Sequence, residues 1–151
     1  MSEKVLEIKK LCKSYGKRKI INDLNMTVFK GDVYGFLGSN GEGKTTTIRM
    51  ITSLIRSDYG EILINEKSII KNRDQAIKNI GAMVGVPKFY GNLSGYGYLK
   101  LMTKLIDGTS DKDIDKLLEL VGLKDRGKEK FASYSLGMKQ RLGMTYQLPY
   151  L

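Results

Sequence analysis

Gly38-Ser39-Asn40-Gly41-Glu42-Gly43-Lys44-Thr45 fits the phosphate-binding pattern G-x-x-x-x-G-K-[ST]. The apolar run Val33-Tyr34-Gly35-Phe36-Leu37 precedes it and a helix-like run from Thr45 to Ile55 follows it. This is the strand–loop–helix context that the pattern requires. The sequence therefore predicts a nucleotide site with Mg²⁺, formed by Gly38, Ser39, Asn40, Gly41, Glu42, Gly43, Lys44, Thr45 and Thr46.

Each residue type in this pattern has a physical reason. Glycines let backbone N–H groups turn onto phosphate oxygens, because no Cβ blocks the close approach. Lys44 would reach the β- and γ-phosphates, and the Thr45 hydroxyl would be a ligand of Mg²⁺. The positive end of the following helix would favour an anion at the same place.

Length and composition restrict the class of protein. A chain of 151 residues fits one domain or a piece of one. Its single cysteine, Cys12, excludes an internal disulfide framework and suggests a reducing compartment. The N-terminus has no apolar segment typical of a secretory signal, and no run is long enough to cross a membrane. We therefore expect a cytoplasmic protein, which would act at the inner face of a membrane if it has a membrane partner.

The net charge of +10 favours anionic partners but does not choose among them. Basic clusters occur at Lys9-Lys10 and Lys17-Arg18-Lys19, without a zinc-finger, basic-zipper or RNA-recognition pattern. We interpret them as solvated surface, so nucleic acid is not the expected partner.

Periodicity predicts the following elements. The strands are Val5–Leu11 and Asn25–Phe29, antiparallel around a turn at residues 14–17, then Val33–Leu37, Glu61–Ile64 and a buried strand at residues 80–84. The helices are residues 45–55 with a core face of Ile48, Ile51, Thr52 and Ile55; residues 93–108 with Ser94 as N-cap and a face of Tyr98, Leu101, Met102 and Leu105; and residues 110–121 with a stripe of Ile114, Leu117, Leu118 and Val121.

A second motif separates the classes of protein that carry a phosphate loop. A GTPase should carry Asn-Lys-x-Asp after the loop, and no such tetrapeptide occurs. The stretch Tyr134-Ser135-Leu136-Gly137-Met138-Lys139-Gln140-Arg141-Leu142 instead resembles the signature motif of ATP-binding cassette (ABC) transporter ATPases. With Ile80–Met83 and Phe89–Ser94, this variant resembles the ATP-binding subunits of bacitracin-resistance and lantibiotic-immunity exporters.

The resemblance implies an ATP-binding subunit that couples ATP binding and hydrolysis to export, in a head-to-tail pair with a second such subunit, beneath an integral membrane permease. It implies that Tyr15 stacks on adenine, although an exposed tyrosine in a turn is also common. It implies that the signature residues Ser135, Leu136, Gly137, Met138 and Gln140 face the ATP of the opposite subunit. The alternative for Ser135 is a simple helix N-cap.

The resemblance also implies the fold. This is the α/β fold of a P-loop NTPase of the ABC type, with an antiparallel β subdomain, a parallel-sheet core around the loop and a helical subdomain. We expect residues 1–86 to form the β subdomain and core, 87–143 the helical subdomain, and 144–151 an atypical tail.

Departures from the family pattern limit the expected activity. Val84-Gly85-Val86 stands where a glutamine that binds Mg²⁺ is usual, and the chain contains no Asp-Glu dipeptide and no histidine. The family's water-orienting glutamate and switch histidine are thus missing, so no catalytic residue is assigned. We expect the N-terminal two-thirds of a nucleotide-binding domain, truncated after the signature, that binds ATP but does not hydrolyse it efficiently.

Two alternatives remain open. The chain could be a non-catalytic partner of an intact ABC subunit. It could instead be an ABC protein without a permease that acts on nucleic acid.

Overall fold

The computed structural model describes residues 2–78, 80–85, 91–103 and 111–145, with the side chains of 103, 111 and 112 left aside. Within it the chain divides into two compact units, Met1–Ile80 and Gly81–Leu151. The predicted boundary after residue 86 and most of the predicted tail lie outside the described residues.

The first unit is built on an antiparallel sheet of four strands in the order β2-β1-β3-β4. The strands are β1 (Lys4–Tyr15), β2 (Arg18–Phe29), β3 (Tyr59–Ile64) and β4 (Lys67–Ser68). The predicted antiparallel pair is confirmed, and both strands are longer than predicted. They join in a two-residue turn, Gly16-Lys17, where Gly16 has a positive φ of 57°.

Two helices accompany this sheet, α1 (Lys44–Ile51) and α2 (Arg73–Ile77). The buried core of the unit consists of Ile8, Leu11, Ile21, Met26, Met50, Ile62, Ile64, Ile69 and Ala76. β1 is hydrogen-bonded to β2 on one side and to β3 on the other. These hydrogen bonds, together with the buried core, hold the β1–β2 hairpin in place.

The predicted core face of α1 is wrong in part. Thr47 and Met50 are the buried residues of this helix, whereas Ile48 is 39% exposed. Ile51 and Ile55 are partly buried against the core, as predicted. The helix also ends at Ile51 instead of Ile55, because the backbone turns at Ser53, where φ is +57°.

The predicted strands at residues 33–37 and 80–84 are not formed in the described ranges. Val33 and Leu37 are almost fully exposed, at 101% and 92%. A strand of a parallel sheet exists only through ladder hydrogen bonds to its neighbours, and no described strand pairs with either run. The parallel-sheet core is therefore absent from the described residues.

The second unit is helical, with α3 (Gly95–Thr103), α4 (Asp111–Leu120) and α5 (Leu136–Met144). Two short 3₁₀ turns, Lys124–Arg126 and Phe131–Ser133, lie between α4 and α5. Its buried core consists of Tyr98, Leu99, Ile114, Leu118, Leu123, Phe131, Tyr134 and Leu142.

The predictions for α3 and α4 are confirmed at most of the described positions, with one exception on α3. Ser94 caps α3 by accepting the N–H of Gly97 at 2.9 Å, and Ile114 and Leu118 of α4 are buried with Leu117 and Val121 packed beside them. Leu101 is wrong as a core residue because it is 42% exposed, and Leu99 is buried in its place. Leu105 and Ser110 lie outside the described residues.

None of the helices within the described ranges has the length and apolar character needed to cross a membrane.

Candidate nucleotide-binding site

The phosphate loop ends in the first turn of α1. Its N-cap, Gly43, has a φ of +86° and packs so closely on β2 that a Cβ would lie 3.0 Å from the Ile21 side chain. Gly41 also has a positive φ, of 90°. Both positions therefore require glycine, for backbone conformation and in Gly43 also for space.

The start of α1 is fixed by Thr47, which is buried. Its hydroxyl donates to the Gly43 carbonyl at 3.0 Å, and its backbone N–H donates to the same oxygen at 2.7 Å. The N–H groups of the three preceding residues, Lys44, Thr45 and Thr46, are the unpaired donors at the start of a helix. They make the end of the loop favourable for an anion.

Lys44 is held at the loop by backbone oxygens. Its Nζ donates to the carbonyls of Gly38 and Ser39, each at 2.6 Å. An ammonium group has three N–H donors, so a donor remains for a further acceptor besides these two carbonyls. Lys44 therefore lies where an incoming phosphate would meet a cation.

Ser39 and Glu42, two residues of the phosphate loop, contact each other. The Ser39 N–H donates to Glu42 Oε2 at 2.7 Å, and the Glu42 N–H donates back to the Ser39 carbonyl at 3.4 Å. A proline at position 39 would have no N–H to satisfy. The Glu42 carboxylate thus compensates for a donor that the serine introduces.

A cleft of about 330 Å³ joins the hairpin end of β1–β2 to the phosphate loop. The cleft is lined by the predicted residues Tyr15, Asn40, Gly41, Gly43, Lys44, Thr45 and Thr46. Two further residues line it: Arg18, which was interpreted from the sequence as solvated surface, and Ile20, which the sequence did not single out. Gly38, Ser39 and Glu42 shape the loop but are not among the lining residues. Larger hollows elsewhere on this unit do not touch the loop glycines or Lys44.

Tyr15 ends β1 at the mouth of this cleft and is 51% exposed. Lys13 Nζ lies 5.7 Å from the centroid of its ring, within reach of a cation–π interaction. A half-exposed aromatic ring beside a phosphate loop is suited to stacking on a flat base.

Asp58 holds the strand that carries Tyr15. Its carboxylate accepts the Ser14 N–H at 2.7 Å and the Lys13 ammonium at 2.6 Å, and its own N–H donates to the Cys12 carbonyl at 3.0 Å. The hydrogen bond from Lys13, followed by that from Ser14, holds the pKa of Asp58 below its ordinary value. The sequence missed this residue because its partners lie more than forty positions away.

The residues that line the cleft offer separate features for a nucleotide and for its metal ion. The cleft offers an aromatic ring, loop glycines without Cβ and unpaired helix N–H groups to ATP. For Mg²⁺ it offers the Thr45 hydroxyl, and the described ranges hold no cluster of carboxylate, cysteine or histidine ligands. A magnesium ion held by one protein hydroxyl would take its remaining ligands from phosphate oxygens and water.

The signature residues belong to the second unit and begin α5. Ser135 is its N-cap, and its Oγ accepts the Met138 N–H at 3.3 Å, so the predicted helix start is confirmed. Ser135, Leu136, Gly137 and Gln140 are exposed, and a Cβ at Gly137 would meet nothing within 4 Å. Met138 packs against the core of the unit instead.

Buried side chains anchor this exposed turn. Tyr134, immediately before Ser135, is 3% exposed and donates its hydroxyl to the Arg126 carbonyl at 2.7 Å. Burial raises the pKa of its phenol. Arg141 donates to the Val121 carbonyl at 3.1 Å, where α4 has ended, and Leu142 is completely buried. The sequence did not reveal Arg141 or Arg126 as partners, because neither lies at a helical spacing from its acceptor or donor.

Comparison with known proteins shows which family this chain is similar to. A family model described as ABC transporter matches residues 21–148. ABC transporter ATP-binding protein YhcH of Bacillus subtilis is 49% identical over 140 residues, which cover 93% of this chain and 46% of that protein. Bacitracin transport ATP-binding protein BcrA of Bacillus licheniformis is 43% identical over 144 residues, 95% of this chain and 47% of that protein.

Lantibiotic transport ATP-binding protein SrtF of Streptococcus pyogenes is 40% identical over 144 residues, 95% of this chain and 61% of that protein. The chain thus spans about half the length of the curated relatives it matches. These relatives confirm the predicted resemblance to bacitracin- and lantibiotic-type ATP-binding proteins.

Solved structures agree on the fold. A putative ABC transporter ATP-binding protein from Pyrococcus furiosus is 29% identical with a TM-score of 0.77, over 95% of this chain and 69% of that one. The structure of an ATP-binding subunit of an ABC transporter is 26% identical with a TM-score of 0.76, over 94% of this chain and 60% of that one. These structures confirm the predicted fold class, a P-loop NTPase of the ABC type, although its parallel-sheet core is not formed in the described residues.

Proposed function

Since this chain belongs to the ABC transporter family, we propose that it forms the ATP-binding part of the ATPase subunit of an ABC exporter. The observation that carries the proposal is that Tyr15, Lys44 and Thr45 line the same cleft. It combines a base-stacking ring, a cation and a helix N-terminus, which are the three features that a nucleoside triphosphate needs.

Each residue has a definite part in this binding. The adenine stacks on the exposed face of Tyr15, while the N–H groups at the start of α1 donate to phosphate oxygens. Lys44 exchanges its carbonyl partners, Gly38 and Ser39, for the β- and γ-phosphates. Magnesium bound at the Thr45 hydroxyl would neutralise phosphate charge.

The signature turn is proposed to act on a second copy of such a site. Ser135 and Gly137 are exposed at the start of α5, where N–H groups and a hydroxyl suit an anion. We propose that they face the ATP of a second ATP-binding subunit in a head-to-tail pair. That pair would lie beneath an integral membrane permease, at the cytoplasmic face of the membrane.

The relatives suggest the class of cargo. Proteins similar to this chain are named for bacitracin and lantibiotic transport. We therefore propose export of an antimicrobial peptide or a drug of similar size.

Hydrolysis by these 151 residues on their own is proposed to be slow. They contain no Asp-Glu dipeptide and no histidine, and Val84-Gly85-Val86 stands where the family resemblance places a glutamine. Without a carboxylate to orient the attacking water, bound ATP should be turned over near the background rate. Robust steady-state phosphate release by the pure chain, lost in the Lys44→Ala variant, would contradict this part of the proposal.

Binding is tested by calorimetric titration of the chain with Mg-ATP. We expect Lys44→Ala to weaken binding about a hundredfold, since a charge-assisted contact to two phosphates is lost. The matched control is Lys67→Ala, which removes an exposed lysine of β4 from the same unit. If Lys44→Ala binds as well as Lys67→Ala, the assignment of the loop is wrong.

A further inference from the structure

Arg18 occupies a position in the candidate cleft that neither the phosphate-binding pattern nor the signature assigns. Its backbone pairs with Tyr15 across the two-residue turn of the hairpin. Its guanidinium reaches the phosphate loop, where Nη2 lies 3.9 Å from the point that a Cβ on Gly41 would occupy. The side chain therefore runs from beside the base-stacking ring to the rim of the loop.

The guanidinium of Arg18 is also available to bind a ligand. Throughout the described ranges, no carboxylate lies within ion-pair distance of it, and the side chain is exposed in the cleft. Two other basic side chains of the same unit do have carboxylate partners, Lys13 with Asp58 and Lys30 with Glu3. An unpaired arginine in an anion-binding cleft can place several donors on one phosphate group at little cost in desolvation.

Resting on the proposed function, we propose that Arg18 binds the phosphate chain of the nucleotide at its ribose end. A nucleotide that stacks on Tyr15 and extends its terminal phosphates to Lys44 must carry its first phosphates past the span of the Arg18 side chain. Arg18 and Lys44 then hold the phosphate chain from two sides, with the loop glycines between them. Arg18 thus adds affinity for the part of the nucleotide that ATP and ADP share.

This assignment predicts how affinity depends on the ligand. Contacts at the ribose end are common to ATP and ADP, so loss of Arg18 should weaken both by the same factor. Lys44 lies nearer the terminal phosphates, and its loss should weaken ATP more than ADP. The two cations are thereby distinguished by the ratio of the two affinities.

The matched control is Lys17, the neighbouring residue in the turn. Lys17→Gln removes the same charge one position away, and Lys17 does not line the cleft. A general electrostatic attraction of the basic hairpin for an anion would be reduced equally by the two substitutions. A direct contact would be reduced only by Arg18→Gln.

The experiment is a calorimetric titration of the full chain and its Arg18→Gln, Arg18→Lys and Lys17→Gln variants with Mg-ATP and Mg-ADP. We expect Arg18→Gln to weaken both ligands about tenfold, and Arg18→Lys to weaken them less because one donor group remains. Lys17→Gln should stay within about twofold of the parent, as expected for an exposed charge. Far-UV circular dichroism verifies that each variant is folded.

Two results would overturn the proposal in distinguishable ways. If the parent binds ATP but Arg18→Gln and Lys17→Gln change the affinity equally, the contact of Arg18 is disproved while the ATP site stands. If the parent shows no saturable binding of either nucleotide, the proposed function fails and the role of Arg18 fails with it. Should Arg18→Gln not fold, the same comparison is made between Arg18→Lys and Lys17→Gln.

Discussion

The phosphate-loop unit and the signature unit hold their exposed functional turns in different ways. In the first, the loop is held by polar contacts, from Lys44 to the Gly38 and Ser39 carbonyls and from Ser39 to Glu42. In the second, the turn at Ser135 is held by apolar burial, with Tyr134 on one side and Leu142 on the other. Exposed apolar side chains, Val33 and Leu37, precede the loop, whereas buried ones flank the signature turn.

The difference shows what each motif needs from the rest of the chain. Tyr134 and Leu142 pack against side chains from α3 and α4 within the same unit, so the signature turn is supported locally. The run at residues 33–37 finds no strand partner in the described ranges. The loop keeps its shape all the same, because glycine conformations and short-range hydrogen bonds define it.

The largest expected effect compares two leucines. Leu142→Ala should lower the free energy of unfolding by about 3 kcal/mol, because it opens a cavity in a closed core. Leu37→Ala should change it by less than about 0.5 kcal/mol, because Leu37 is 92% exposed. Urea unfolding followed by circular dichroism measures both.

Equal losses in the two variants would break the comparison. They would mean that Leu37 is packed in solution and that the run before the loop has a partner. Hydrogen exchange at α5 is the control, since only Leu142→Ala should increase it.

The second prediction concerns Asp58, which positions Tyr15 through its contacts with Lys13 and Ser14. Asp58→Asn removes the charge that binds Lys13 and keeps the shape of the side chain. Because Tyr15 would then be held less firmly, we expect binding of Mg-ATP to weaken about threefold. Isothermal titration provides the measurement, and Asp74→Asn, on a side chain that is 96% exposed, is the control.

The contribution of these Asp58 contacts to ATP binding should depend on pH in a definite way. The pKa of Asp58 is held below its ordinary value of about 4, so its contribution is complete above that value. It is lost as the pH falls through the lower pKa of the folded state. The ratio of parent to Asp58→Asn affinity should therefore be constant from pH 5 to 8, and a ratio that varies there would contradict the assignment.

The smallest expected effect tests the pair Ser39 and Glu42. Glu42→Ala leaves the Ser39 N–H without its carboxylate acceptor and should cost about 0.5 kcal/mol of stability, because water replaces part of the bond. Ser39→Pro removes that N–H. In the Ser39→Pro/Glu42→Ala double variant, most of the stability lost in Glu42→Ala should therefore be recovered. A cycle of four thermal melts gives the coupling, and additive losses would show that the two residues are independent.

Residues whose partners are near in sequence were predictable. The phosphate loop, the hairpin around Gly16 and the N-cap at Ser135 each follow from a short pattern. The capping serine is an example, because its partner, Met138, is three positions away.

Residues whose partners are distant in sequence were not predictable. Asp58, which immediately precedes β3, contacts Lys13 and Ser14 of β1. Arg18 is brought close to Gly41 only by the folding of the hairpin onto the loop. The strands at residues 33–37 and 80–84 were predicted from apolar content alone. Such content cannot distinguish a paired strand from an exposed run.

The central claim, that ATP binds in the cleft between the hairpin end and the phosphate loop, is tested most directly by amide NMR spectra recorded during a Mg-ATP titration. We predict saturable shifts at Tyr15 to Arg18 and at Gly41 to Thr46, which line or border the cleft. Amides of α4 in the second unit serve as the internal control and should not move. Shifts confined to the second unit, or no saturable shift at the loop glycines, would contradict the account.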